Sequence, residues 1–69
     1  MYKKGQIVKF RSDLVVDVSY GGIEWLERMN QEYLGQFAVI DEFDECDNTF
    51  TILMDRTNGC WYSIEMLER

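Results

Sequence analysis

Apolar residues in this 69-residue chain fall in short alternating runs between turn residues, spread from Ile7 to Leu67. That pattern suits short strands curled about one small core, because strand side chains alternate between faces with a period of two. Gly5 to Arg11 is predicted as a first strand, with Val8 and Phe10 facing the core and Lys9 and Arg11 facing water. Phe37 to Phe43 is predicted as a second. Thr49 to Met54, rich in β-branched and aromatic residues, is a third. Asp55-Arg56-Thr57-Asn58-Gly59 then carries an Asn-Gly signal for a tight turn into Cys60-Trp61-Tyr62-Ser63.

Between the first two strands lies a long connection, Ser12 to Leu34. Its segment Ile23 to Met29 has apolar residues near helical spacing and is predicted as a short helix beginning after Gly21-Gly22. A last turn is expected at Ile64 to Leu67. The expected architecture is therefore mainly β: one domain over residues 1–69, a small SH3-like antiparallel barrel whose long first loop carries a short helix.

Composition narrows the chemistry. There is no His, which removes the usual neutral-pH acid/base residue and the commonest metal ligand, and with them Ser-His and Cys-His nucleophiles. Charge-free stretches such as Leu34 to Ile40 fall far short of the ~20 apolar residues of a membrane helix. Met1-Tyr2-Lys3-Lys4 leads into no apolar signal core, so a cytoplasmic location is expected. Cys46 and Cys60 lie fourteen apart in no CxxC spacing, which points to thiols in a reducing compartment. Net charge is −6, but residues 1–11 hold Lys3, Lys4, Lys9 and Arg11 with no acid. A basic first strand precedes an acidic body.

Asp41, Glu42, Asp44, Glu45 and Asp47 put five carboxylates into seven positions. A calcium loop would need a Gly at the sharp turn and a closing bidentate Glu in register, and neither is there, so no metal or other cofactor is expected. The run reads either as a solvated loop that guards a strand edge or as a surface for a basic partner. Gly21-Gly22 lacks the residues of a phosphate-binding loop and reads as a turn. Glu24, Glu27 and Asp17 are too poorly supported by any cleft to form an acid/base pair. Tyr20, Trp25, Tyr33, Trp61 and Tyr62 either fill the barrel or line a peptide groove. Trp61 and Tyr62, as strand neighbours, cannot both face the core. Tyr20, Trp25 and Tyr62 are taken as the apolar contacts of a partner and the five acids as its electrostatic contacts. Direct nucleic-acid binding through Lys3, Lys4, Lys9 and Arg11 is disfavoured by the acidic body. Those bases are expected to pair instead with the chain's own acidic loop, or with an acidic patch on a second copy in a homodimer.

One set of residues also resembles a family. Gly5-x-x-Val8-x-Phe10-Arg11-x-Asp13-Leu14, Tyr20-Gly21-Gly22-Ile23, Met29, Leu34-Gly35, Trp61 and Glu65-Met66-Leu67 resemble small SH3-like barrel proteins encoded by phages and prophages of Gram-positive bacteria. The layout is more loosely similar to the Mib/Herc2 type of barrel, whose Trp-rich central motif is absent here. The phage resemblance implies a non-enzymatic accessory protein in the cytoplasm of a bacterial host, with a host or phage protein as partner, and it assigns no functional residue. Joined to the acidic charge, it leads to the expectation of an inhibitor of a nucleic-acid-handling or defence enzyme, a CRISPR nuclease among them. The alternative is a self-associating assembly module with no inhibitory role.

Overall fold

The structure, a computed structural model, describes residues 2–55 and 59–68. Six strands and one helix follow in the order β1 (Ile7–Lys9), β2 (Ser19–Tyr20), β3 (Ile23–Glu24), α1 (Glu27–Tyr33), β4 (Phe37–Asp44), β5 (Thr49–Ile52) and β6 (Tyr62–Ser63). Single 3-10 turns lie at Leu53–Asp55 and Ile64–Met66. β1, β4, β5 and β6 form one antiparallel sheet in that order, and β2 and β3 form a separate hairpin.

The sheet curls into a half-barrel. Alternation in β1 buries Val8 and Phe10 and leaves Lys9 and Arg11 partly exposed, as expected for a strand with one dry face. β1 runs against β4 in the register Ile7 to Val39 and Lys9 to Phe37. β4 then slips against β5, because Ile40 faces Ile52 whereas Glu42 faces the adjacent Thr51. Asp41 is the extra residue of this bulge, and an extra residue bends its strand and strengthens the local twist. Past β6 the chain returns to β1: Leu67 bridges Phe10, Glu68 N–H donates to the Lys9 carbonyl at 2.9 Å, and Arg11 N–H donates to the Met66 carbonyl at 2.8 Å. The far side of the first strand is thereby covered.

Phe10 stands at the centre of the core. Its ring lies 5.3 Å from Tyr62, 5.5 Å from Trp25, 5.9 Å from Tyr33 and 6.2 Å from Phe50, centroid to centroid. These tilted, edge-on and stacked pairs contribute beyond the area they remove from water. Ala38, Ile40, Ile52, Met29, Met66 and Leu67 complete the packing.

Boundaries differ from those read in the sequence, beginning with β1, which spans Ile7–Lys9 rather than Gly5 to Arg11. Ile23–Glu24 is a strand rather than the start of a helix: Gly21 and Gly22, at φ +60° and +87°, make a two-residue hairpin turn that needs left-handed backbone at both positions. The helix begins at Glu27 and buries Met29 and Tyr33, one turn apart on a single face. The third strand stops at Ile52, where Leu53–Asp55 tightens into a 3-10 turn. β5 and β6 do pair, with Thr49 opposite Ser63 and Phe50 opposite Tyr62, but over a wider connection than an Asn-Gly turn. Arg56, Thr57 and Asn58 of that expected turn lie outside the described residues.

Candidate functional site

The β2–β3 hairpin is pinned to the barrel by residues of the motif quoted above. Arg11 donates through Nε and Nη2 to the two carboxylate oxygens of Asp13 at 2.8 and 3.0 Å, and through Nη1 to the Glu65 carbonyl at 2.9 Å. Its guanidinium carbon also lies 5.4 Å from the centroid of the Tyr20 ring. The hydrogen bond with Asp13 raises the Arg11 pKa and holds the Asp13 carboxyl below the usual carboxylate range. Ser63 Oγ donates to the Tyr20 carbonyl at 2.6 Å, and the Tyr20 hydroxyl accepts from Val15 N–H at 2.9 Å. Gly21 completes the lock, since a Cβ there would stand 2.9 Å from the Ser63 Cβ. Most of the motif's large apolar residues, among them Val8, Phe10, Leu14, Met29, Met66 and Leu67, are core. Trp61 is its exposed one, at 41%.

Pinning the hairpin there opens a groove of about 410 Å³ lined by Gly21, Gly22, Ile23, Asp44, Asp47, Thr49 and Trp61. One wall is the bare backbone of the hairpin tip. The opposite wall is the acidic turn between β4 and β5, shaped by Asp44 Oδ1 accepting from Cys46 N–H at 2.9 Å and by Asn48 at φ +56°. The Trp61 ring supplies an apolar face beside two carboxylates, an arrangement that suits a cationic side chain carried on an apolar stem.

The five acids do not form one surface. Asp44 and Asp47 line this groove, whereas Asp41, Glu42 and Glu45 line a second depression, of about 460 Å³, with Tyr2, Lys3, Lys4 and Phe43. Asp41 and Glu42 lie at the bulge, beside the N-terminal segment, whereas Asp44 and Asp47 lie at the turn end of β4, beside the β2–β3 tip and Trp61. Tyr2 packs on Phe43 with ring centroids 6.0 Å apart, which brings the basic N-terminal segment to the second group. Of the four bases expected to meet the acidic loop, Lys3 and Lys4 line the second depression with Asp41, Glu42 and Glu45, whereas Lys9 pairs with Glu68 at 3.6 Å and Arg11 with Asp13. Among the described residues no cluster of His, Cys, Asp or Glu is arranged to hold a metal ion. None of their helices is long and apolar enough to cross a membrane.

Two of the aromatic contacts proposed from the sequence are corrected. Trp25 and Tyr62 are both fully buried. Trp25 closes one end of the core between β3 and α1 and donates from Nε1 to Asn30 Oδ1 at 3.0 Å. Tyr62 faces inward and its neighbour Trp61 outward, so of the two it is Trp61 that is available for contact. Tyr20 is half-buried, engaged through its ring, carbonyl and hydroxyl in pinning the hairpin.

Sequence reasoning also missed a buried polar cluster. Asp55, 3% exposed, accepts from the Tyr62 hydroxyl at 2.8 Å and from the Tyr33 hydroxyl and Arg28 Nη1 at 3.4 Å each. Arg28 also donates to Cys60 Sγ at 2.9 Å and reaches Glu32 at 3.6 Å. Burial, reinforced by the hydrogen bond to Asp55, pushes the Tyr62 phenol well above the ordinary tyrosine range. Burial and the charge of Asp55 raise Tyr33 as well. Burial opposes the charge on Arg28, but Tyr62, Cys60 and Asp55 outweigh it and its pKa rises. Both phenols therefore stay protonated as donors at neutral pH, and the cluster ties α1 to the turn after β5 and to β6. Cys46 and Cys60 are thiols with no disulfide between them.

Comparison with known proteins finds no matching family model, no matching curated protein and no matching solved structure.

Proposed function

We propose that this chain is an SH3-like protein-binding module that performs no chemistry and takes a basic segment of a partner protein into the groove between the β2–β3 tip and the acidic turn. Three features support the barrel type: the antiparallel succession β1, β4, β5, β6; a long hairpin-bearing connection between its first two strands; and a 3-10 turn just before the segment that returns to β1. The observation that carries the binding function is Trp61. A large ring 41% exposed beside Asp44 and Asp47 serves as an anchor, because aromatic residues dominate binding hot spots while carboxylates steer a basic partner and fix its register. Basic surfaces of this kind are common on enzymes that handle nucleic acid, and carboxylates can occupy a site built for phosphates. The family resemblance and the charge together favour a phage or prophage accessory protein that inhibits such a host enzyme, a defence nuclease included.

The test is affinity capture from lysate of a Gram-positive host at low and high salt, with the Trp61→Ala chain and the Asp44→Asn, Asp47→Asn double variant alongside. A basic nucleic-acid enzyme held by the unaltered chain, released by salt and missed by both variants is the expected result. A partner retained equally by all three chains overturns the groove assignment.

A further inference from the structure

We infer that the chain pairs with a second copy of itself through the outer face of β1 and β4. Ile7 and Phe37 are 68% and 66% exposed, the largest exposures among its exposed large apolar residues. The register sets them on one face: Ile7 lies opposite Val39, and Lys9 opposite Phe37. Lys9 Nζ sits 5.6 Å from the centroid of the Phe37 ring and 3.6 Å from Glu68. The resulting depression, of about 570 Å³, is bounded by Tyr2, Gln6, Ile7, Phe37 and Glu68. Two strongly exposed apolar side chains side by side on neighbouring strands form a contiguous patch, and a contiguous apolar patch marks an interaction site.

Strand-to-strand pairing along the edge of β1 is blocked at its C-terminal end. The Lys9 carbonyl and Arg11 N–H are taken by Glu68 and Met66. What remains for contact is the face. Charge selects the occupant. The depressions beside Arg11, Trp61 and Lys3 each hold more acids than bases, so two copies of a chain of net charge −6 repel one another there. Among the described residues lining the β1–β4 depression, one base, Lys9, is matched by one acid, Glu68. A two-fold contact sets the same patch against itself. It brings the Lys9–Glu68 pair of each copy to the same contact, around the exposed side chains of Ile7 and Phe37. No residue of this face lines the Trp61 groove, so pairing leaves the groove open, and the inference does not rest on the function proposed for it.

Sedimentation velocity from micromolar to millimolar chain tests the pairing, with Phe37→Glu, Ile7→Glu and Trp61→Ala alongside and circular dichroism to check folding. The expected result is a concentration-dependent dimer for the unaltered chain and for Trp61→Ala, and monomer for the two Glu variants. Monomer at millimolar unaltered chain, or dimer in both Glu variants, overturns the inference. Should a Glu variant fail to fold, amide NMR shifts of the unaltered chain on dilution decide. Changes centred on Ile7, Lys9, Phe37 and Val39 support the face, and changes centred elsewhere overturn it.

Discussion

The hydroxyl of Tyr62, a residue with no exposed surface, donates a 2.8 Å hydrogen bond to Asp55, which is 3% exposed. This contact joins the 3-10 turn after β5 to β6 from inside the barrel. Tyr62→Phe removes the donor but keeps the ring against Phe10, and it is expected to destabilise by about 1–2 kcal/mol, the range for leaving a buried acceptor short of a partner. Asp55→Ala leaves both the Tyr62 and the Tyr33 hydroxyl without their acceptor while Arg28 keeps Cys60 and Glu32, and is expected to cost about 3 kcal/mol. Urea unfolding of the three chains checks the ranking, and equal midpoints would show that the cluster adds no stability.

Alkaline pH is expected to weaken the fold. Tyr62 and Tyr33 have raised pKa values in the folded chain, burial being the first cause in each. Below the unfolded tyrosine value of ~10 both states hold the proton and stability is level. Above it the unfolded chain loses protons that the folded chain keeps, so stability falls by up to about 1.4 kcal/mol per pH unit for each tyrosine, until pH passes the folded value. Chemical denaturation between pH 8 and 11 reads this slope. It is expected to be shallower in Tyr62→Phe, and an unchanged slope would contradict the assignment.

Gly21 and Gly22 should differ in their tolerance of a side chain. Both have positive φ, but a Cβ on Gly21 meets the Ser63 Cβ at 2.9 Å and Oγ at 3.0 Å, while one on Gly22 meets nothing within 4 Å. Gly22→Ala is expected to cost about 1 kcal/mol for left-handed backbone alone. Gly21→Ala should cost more, because the hairpin must also lift from β6. With about 4–8 °C of Tm per kcal/mol for a domain of this size, the two are separable by thermal melting.

Trp61→Ala is expected to leave stability within about 0.5 kcal/mol, since it changes an exposed residue outside the core, while abolishing partner binding. Trp25→Ala should do the opposite and unfold much of the chain, at about 3–5 kcal/mol for a buried aromatic. Intrinsic fluorescence distinguishes the two rings directly: a soluble quencher should reach Trp61 and not Trp25.

The first strand was legible because Val8 and Phe10 alternate with Lys9 and Arg11, and β4 because Phe37 to Ile40 is a continuous apolar run, although β1 proved shorter than read. The helix was misplaced because Gly21-Gly22 serves equally as a hairpin turn and as the start of a helix, and only contact with Ser63 decides between them. Trp61 and Tyr62 could not be oriented from sequence, since two adjacent aromatics satisfy either phase of a strand and β6 is only two residues long. The acidic run was visible as a cluster, but its division between two depressions depends on where the β2–β3 hairpin and the N-terminal segment come against it. Asp55 reads as a solvated turn residue; its partners Arg28, Tyr33 and Tyr62 come from distant parts of the chain and meet it only once the barrel closes.

The central claim is that the groove beside Trp61 is where a basic partner binds. The most direct measurement is the affinity of a captured partner for the unaltered chain, for Trp61→Ala, and for a chain with Asp41, Glu42 and Glu45 neutralised, each at two salt concentrations. A loss of roughly thirty-fold or more with Trp61→Ala, the effect of a hot spot of ~2 kcal/mol, and a smaller loss with the triple variant, is the result expected. Unchanged affinity in Trp61→Ala with strong loss in the triple variant would move the binding site to the Lys3–Phe43 depression and contradict the account.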